Sequence, residues 1–173
     1  MKIIGITGGV GSGKTQVLSY IEKHYKCRIV RSDETAHLLY EPGQECYKKL
    51  VALLGLEILA EDKTIDKGKM AAVIFSNKML LERVNQIVHP EVKNYILRQI
   101  EYEKGKGVVD YFFIEAALLI EEHYDQIVDE LWYIYADTQI REKRLVENRQ
   151  YSTQKIAYIM EGQLSEEEFR KLK

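Results

Sequence analysis

The chain reads as an α/β protein built on a parallel sheet with helices packed over both faces. Three observations carry this. Short apolar strands alternate along the chain with segments of helical period. The first strand, around Ile3, Ile4 and Ile6, runs directly into Gly8-Gly9-Val10-Gly11-Ser12-Gly13-Lys14-Thr15, which fits G-x-x-x-x-G-K-[ST] at every fixed position. Finally, the glycine loop, the region of Asp33 and Glu115 all fall at the carboxyl ends of predicted strands, where ligands gather on such sheets.

Taken in order, the loop is followed by Val17, Leu18, Ile21 and Tyr25, spaced as one face of a helix. Cys27-Arg28-Ile29-Val30 is a brief strand leading to Ser32-Asp33. Ala36, Leu39 and Tyr40 place a helix over 33–40, and Glu41-Pro42-Gly43 stops it. A helix is expected over 44–54, closed by Gly55; residues 60–69 are polar and loop-like around Glu61-Asp62-Lys63-Thr64. From Ser76 to about Glu103 the apolar period is helical, with His89-Pro90 predicting two helices that meet there, Pro90 in the first turn of the second. Lys104-Gly105-Lys106-Gly107 ends that region. The run from Val108 to Ile114 has the near-continuous apolar character of a buried central strand, and Leu131 to Tyr135 is another. Asp137-Thr138 caps a basic helix over 139–148, and Ser152 or Thr153 caps one more, up to Gly162.

Composition narrows the partners. At 173 residues the chain is long enough for one full core with small excursions from it. Its 46% apolar and 30% charged residues are those of an ordinary soluble globular protein. A formal net charge of −2 offers no general attraction to nucleic acid or to an anionic membrane, so any phosphate binding must come from local Lys and Arg. No run of eighteen apolar residues occurs, and the first strand is too short for a signal peptide. Cys27 and Cys46 make neither a CxxC pair nor a disulfide framework, and are expected to be reduced thiols of a cytoplasmic protein. A monomer or weak homo-oligomer is expected.

The glycine loop supplies the chemistry. Glycines let backbone N–H groups turn inward around an anion, and the N-terminus of the following helix adds partial positive charge. Lys14 would reach the β- and γ-phosphates of a nucleoside triphosphate, and the Thr15 hydroxyl would hold Mg²⁺. Asp33 is either a base that orients an acceptor hydroxyl or the N-cap of the helix that starts there. Glu115 is either an acid near the magnesium shell or an exposed polar residue after a strand. Arg141, Lys143, Arg144 and Arg149 form a basic cluster, with Arg141 and Arg144 three apart on one helix face. They would neutralise a transferring phosphoryl group, unless they are simply a solvated face beside Glu142 and Glu147. His89 is read as a capping or packing residue or as a catalyst; His24, His37 and His123 share no metal-ligand spacing. A GTPase is excluded, because the one Asn-Lys pair, Asn77-Lys78, is followed by Met79-Leu80 and no D-x-x-G occurs. A kinase acting on a small molecule fits best, with another acceptor or a non-catalytic nucleotide-binding module as alternatives.

The ordered set of segments resembles the dephospho-CoA kinase family from Met1 to about Leu164. The resemblance is carried by Ile6-Thr7 with the loop to Thr15, by Ser32-Asp33-Glu34-Thr35-Ala36-His37, by Glu41-Pro42-Gly43 and by Ile87-Val88-His89-Pro90. Glu115-Ala116-Ala117-Leu118-Leu119-Ile120-Glu121, Arg144-Leu145 through Arg149, and Gln163 extend it. It implies a three-layer α/β/α P-loop kinase fold with a parallel sheet: core 1–32 and 105–137, a helical acceptor-binding subdomain over about 33–104, and a small lid with following helices over about 138–164. It implies transfer of the ATP γ-phosphate to the ribose 3′-hydroxyl of dephospho-CoA, with Mg²⁺, and no nucleic-acid or membrane partner. By the same resemblance Asp33 is the base, with Lys14, Arg141 and Arg144 as the other catalytic groups. ATP is held by Gly9, Gly11, Ser12, Gly13, Lys14, Thr15, Gln16, Arg144 and Arg149; the acceptor by Asp33, His37, His89, Glu115 and Leu118; the metal by Thr15 and Glu115.

Departures from the family pattern are specific. Arg31 stands where many members carry an acid, Thr15-Gln16 replaces Ser-Thr, Ala117 replaces proline, and Tyr158 stands where arginine is common. Ser165 and Glu168 make a capping box for a helix ending at Lys173, whereas the family continues through another strand with an Asp…Asn-Gly segment. A truncated form is therefore expected, and true absence of that strand would leave an open sheet edge and weaken ATP binding.

Overall fold

The computed structural model describes residues 1–75, 77–117 and 119–161, and all of their side chains but those of Arg149, Tyr158, Ile159 and Glu161. Elements run β1 (Lys2–Thr7), α1 (Lys14–His24), β2 (Cys27–Arg31), α2 (Ser32–Leu39), α3 (Glu45–Leu54), α4 (Lys67–Phe75), α5 (Lys78–Lys106), β3 (Tyr111–Glu115), β4 (Glu130–Tyr133), α6 (Thr138–Arg149) and α7 (Thr153–Glu161). Short 3-10 turns stand at Leu56–Ile58 and Tyr124–Gln126. The chain divides into two compact units, one of Met1–Ile29 with Gly107–Lys173, the other Val30–Lys106.

The first unit carries the sheet. Its strand order is β2-β3-β1-β4, with β1 parallel to both β3 and β4, so the expected α/β fold with a parallel sheet is what forms. Five successive residues of β1, Ile3 to Thr7, are buried, because an inner parallel strand is covered on both faces. Ile4 and Ile6 pack with Leu18 and Ile21 of α1 and Phe113 of β3, with Val17, Cys27, Ile29, Tyr111 and Ile134 around them. Gly5 lacks a Cβ for a packing reason: one there would sit 3.0 Å from Leu119 and 3.2 Å from Leu131. The neighbouring loop ties on through Asp129, whose carboxylate accepts from Ile3 N at 2.7 Å while its own N–H donates to Ile3 O at 2.8 Å.

Three boundaries differ from the sequence expectation here. Tyr25 is not on the α1 face; it is the extended C-cap residue, 51% exposed, with its ring edge against Tyr111. The third strand begins at Tyr111 rather than Val108. Val108 is 66% exposed and the backbone at Asp110 is bonded to Lys26 O and Lys2 N instead of a full ladder. The fourth strand ends at Tyr133, and Tyr135 is exposed. Asp137 caps α6 as its residue type predicts, accepting from Gln139 N at 2.9 Å. Ser152 caps α7 through its hydroxyl, which accepts from Lys155 N at 3.3 Å. Gly162, Gln163 and the Ser165–Glu168 capping box lie outside the described residues.

The second unit is helical. Its centre is α5, a single helix of 29 residues with Pro90 inside it, where two helices were expected. The reason is the stripe Val84, Val88, Val92, Ile96 and Ile100, all buried and spaced by four straight through the proline. An interior proline costs about 3 kcal/mol. Burying five aliphatic side chains contributes about 1.5–3 kcal/mol each, so packing against α2, α3 and α4 outweighs the local penalty. The second difference is α4, where residues 67–69 were expected to remain loop. Asp66 closes its first turn, its carboxylate accepting from Lys69 N at 2.9 Å and its carbonyl from Met70 N at 2.9 Å.

Candidate functional site

The site is built outward from β1. Its register sets Thr7 at the sheet's carboxyl edge, and the chain then turns through Gly8 (φ 148°), Gly11 (φ 84°) and Gly13 (φ 105°) before α1 begins. Side chains rarely adopt these angles, so the turn needs glycine. Gly13 is the N-cap of α1 and supplies no side-chain cap, which leaves the first turn of the helix to a ligand rather than to a carboxylate or hydroxyl.

Three cations hold the loop from its carbonyl side. Lys14 Nζ donates to Gly8 O at 2.7 Å and Gly9 O at 3.3 Å. Arg141 Nε donates to Val10 O at 3.0 Å. Arg144 Nη1 donates to both Gly11 O and Ser12 O, each at 3.1 Å. Arg141 and Arg144 are half-buried while Glu142, Lys143 and Glu147 on the same helix are exposed, so the pair is not a solvated face. Ser12 adds a distinct signal: it is 6% exposed, and its Oγ has no hydrogen-bond partner among the described residues. A buried hydroxyl left so costs about 1–3 kcal/mol, and a phosphate oxygen seated in the loop would satisfy it.

Thr15 and Gln16 are exposed on the first turn of α1. They open onto a depression of about 370 Å³ continued by Ser19, Tyr20, Lys23 and His24. His24 stacks on Tyr20 with ring centroids 4.0 Å apart. These four residues were not singled out from the sequence, although the i, i+4 rows Thr15-Ser19-Lys23 and Gln16-Tyr20-His24 lie on adjoining helix faces. Glu115 ends β3 opposite Ile6, and the next amide, Ala116 N, donates to Ile6 O at 3.3 Å. It therefore stands beside the strand that feeds the loop. Among the described residues no group of three His, Cys, Asp or Glu side chains is set to hold a metal.

The first unit thus brings together Gly9, Gly11, Ser12, Gly13, Lys14, Thr15, Gln16, Glu115, Arg141 and Arg144. Arg149 is the last residue of α6, and its side chain lies outside the described residues, as does Leu118. The remaining site residues belong to the second unit. Asp33 and His37 are exposed and four apart on α2, whose buried positions are Thr35 and Leu39. The cap alternative for Asp33 is not observed: Arg31 is the N-cap residue, Asp33 the second helical one. Burial, with smaller contributions from Cys46 and the Asp33 carboxylate, pushes the Tyr40 hydroxyl up to about 12. His89 is half-buried on α5, next to buried Val88. Arg31, the departure from the family pattern, pairs with Glu34 at 3.6 Å. Neither thiol is poised for reaction, since burial raises Cys27 and pushes Cys46 up to about 11.

Comparison with known proteins agrees in family and fold. The family model described as CoaE, dephospho-CoA kinase, matches residues 2–173. A dephospho-CoA kinase of Carboxydothermus hydrogenoformans is 33% identical over 172 residues, covering 99% of this chain and 82% of the relative. One of Listeria monocytogenes is 33% identical over 169 residues, covering 96% and 82%. A crystal structure from Thermus thermophilus superposes with a TM-score of 0.79 at 26% identity, covering 99% of this chain and 84% of that one. A dephospho-CoA kinase from Campylobacter jejuni shares the fold, with a TM-score of 0.64 at 18% identity over 99% and 93%. With a loop of this construction on the inner strand and a family match that runs almost from end to end, the chain belongs to the dephospho-CoA kinase family.

Proposed function

We propose that the protein transfers the γ-phosphoryl group of ATP to the ribose 3′-hydroxyl of dephospho-CoA, giving coenzyme A and ADP, the last step of coenzyme A synthesis. The donor half is supported by the loop whose carbonyls are tied back by Lys14, Arg141 and Arg144, with the Ser12 hydroxyl awaiting a partner. That loop is the observation that carries the reading; family membership supplies the acceptor.

Gly9, Gly11, Ser12, Gly13, Lys14, Thr15 and Gln16 hold the triphosphate, with Arg144 and Arg149 over it. Thr15 and Glu115 would hold Mg²⁺, which would neutralise charge on the phosphate oxygens. Asp33 takes the proton of the 3′-hydroxyl as that oxygen bonds to the γ-phosphorus and the bond to the β-phosphate oxygen breaks. Arg141, Arg144 and Lys14 stabilise the charge that spreads over the transferring group. His37 and His89 of the helical unit complete the acceptor side together with Leu118, and closure of α6 with its neighbours excludes water that would otherwise compete for the phosphoryl group. With two free thiols, one of them buried, we place the protein in the cytoplasm.

The test is ATP consumption over a panel of acceptors, with product mass read directly. Dephospho-CoA is expected to gain one phosphoryl group, faster than nucleoside monophosphates or hydroxy acids. Turnover of another acceptor but not of dephospho-CoA would replace the reading, and ATP binding without turnover on any of them would make the chain a nucleotide-binding module.

A further inference from the structure

We infer that Arg141 and Arg144 act on the protein and not on phosphate alone: they clamp the outer carbonyls of the loop and thereby aim its amides, and Gly9 is glycine to seat the Arg141 guanidinium. This deepens the kinase reading above and rests on it for the identity of the ligand.

The geometry follows from the peptide group itself. A trans peptide is planar, so the C=O of one residue and the N–H of the next point in opposite directions. No cis peptide interrupts the loop. Holding Val10 O with Arg141 Nε therefore fixes the direction of the Gly11 amide. Holding Gly11 O and Ser12 O with Arg144 Nη1 fixes those of Ser12 and Gly13. Lys14 does the same for the Gly8 and Gly9 carbonyls and so for the amides of Gly9 and Val10. Five consecutive carbonyls are thus bonded to cations, which fixes the direction of the amides they govern; that of Ser12 is turned onto Gly9 O at 3.1 Å. A guanidinium bonded to a carbonyl makes one of the stronger hydrogen bonds available, because the donor is charged.

The glycines of the loop carry the imprint of α6. The phosphate-binding pattern leaves positions 9 and 11 free. A Cβ on Gly9 would come within 2.7 Å of Arg141 Nη1 and overlap the rest of its guanidinium. A Cβ on Gly11 would lie 3.0 Å from Arg141 O and 3.3 Å from both Arg141 Cα and Leu145 Cγ. Leu145, next to Arg144 on α6, is 1% exposed and packs beside Gly11 of the loop. Arg141 and Arg144 are therefore positioning residues for the loop, whatever they also contribute in transfer.

Gly9→Ala is a clean probe. Gly9 is absent from the positive-φ glycines, so its φ does not penalise alanine, and the three atoms nearest to the added methyl all belong to the flexible end of Arg141. The experiment uses the full chain without nucleotide. Amide ¹H–¹⁵N resonances of Gly11, Ser12 and Gly13 are followed in the wild type, Gly9→Ala, Arg144→Ala and Arg144→Lys, and the affinity for a non-hydrolysable ATP analogue is measured by calorimetry. In Gly9→Ala the Gly11 resonance moves, and in Arg144→Ala those of Ser12 and Gly13 move. The analogue binds roughly tenfold more weakly in each, since a charge-assisted hydrogen bond is worth about one such factor. Arg144→Lys, whose single ammonium can still reach a carbonyl, recovers part of both effects. Unmoved amide resonances with unchanged affinity, alongside a fall in kcat, would overturn the inference and leave the arginines acting on the phosphoryl group alone. The amide readout needs neither nucleotide nor acceptor, so it is independent of the kinase reading, which fails separately if the wild-type chain binds no analogue.

Discussion

Replacing Pro90 by alanine isolates the contest that shapes the helical unit. Pro90 is exposed, so the substitution removes little packing, while Val88 and Val92 on either side keep α5 docked at 7% and 6% exposure. Alanine restores a backbone N–H that can reach the carbonyl one turn back, at Gln86, and an interior proline is about 3 kcal/mol worse than alanine in a helix. The unfolded chain also gains freedom, which takes back about 0.4–1 kcal/mol. The net expectation is a variant more stable by about 2 kcal/mol. With a urea dependence of roughly 2 kcal/mol per molar, the unfolding midpoint rises by about 1 M, followed by circular dichroism at fixed pH. The Michaelis constant for dephospho-CoA is measured alongside, because His89 precedes the proline and is assigned to the acceptor side. An unchanged or lowered midpoint would refute the reasoning: the proline would then cost the helix nothing, and the valine-isoleucine stripe would not be overriding anything.

Other outcomes follow from the same geometry. Asp33→Asn lowers kcat by roughly 10²–10⁴-fold, the usual contribution of a positioned base, with ATP-analogue affinity held; near-normal turnover would remove Asp33 from that role. Lys14→Met loses both triphosphate affinity and turnover, read by calorimetry and by initial rates, and retention of both would detach the loop from the chemistry. Asp137→Ala removes the α6 cap and lowers stability by about 1 kcal/mol, which urea unfolding detects; no change would mean that the Gln139 N bond is idle. Tyr40 and Tyr124 are both held up at about 12 by burial. A raised folded value favours the protonated state, so their contribution is intact below the unfolded value of about 10 and fades as pH climbs from there toward 12. Tyr40→Phe and Tyr124→Phe flatten that alkaline decline, and identical pH profiles in wild type and variants would contradict it.

What the sequence revealed, and what it hid, divides by the range of the interactions involved. The segment from β1 through the loop to α1 was readable because an apolar strand, a fixed glycine spacing and a helical period all agree locally. The pairing of Arg141 with Arg144 was readable from their three-residue separation. Whether Asp33 caps its helix was not, since Ser32, Asp33 and the extended Arg31 before them all suit a helix start; the observed cap at Arg31 decides it. The single helix through Pro90 was missed because a local rule was weighed above a stripe whose value comes from three other helices. The start of α4 was missed for the opposite reason: Gly68 and its flanking lysines look like loop, and the one buried residue, Ile74, lies near the far end. No sequence pattern could reveal the clamp on Val10, Gly11 and Ser12, because it joins side chains to backbone oxygens more than 130 positions apart.

The strand that delivers the glycine loop is bonded along both edges, to β3 on one side and β4 on the other. Amide hydrogens of such a strand exchange with solvent only when the surrounding unit opens as a whole. The upstream hinge of the loop therefore has no small, private motion available to it. On heating, the capacity to hold a triphosphate will disappear in the same transition that melts the sheet, not ahead of it.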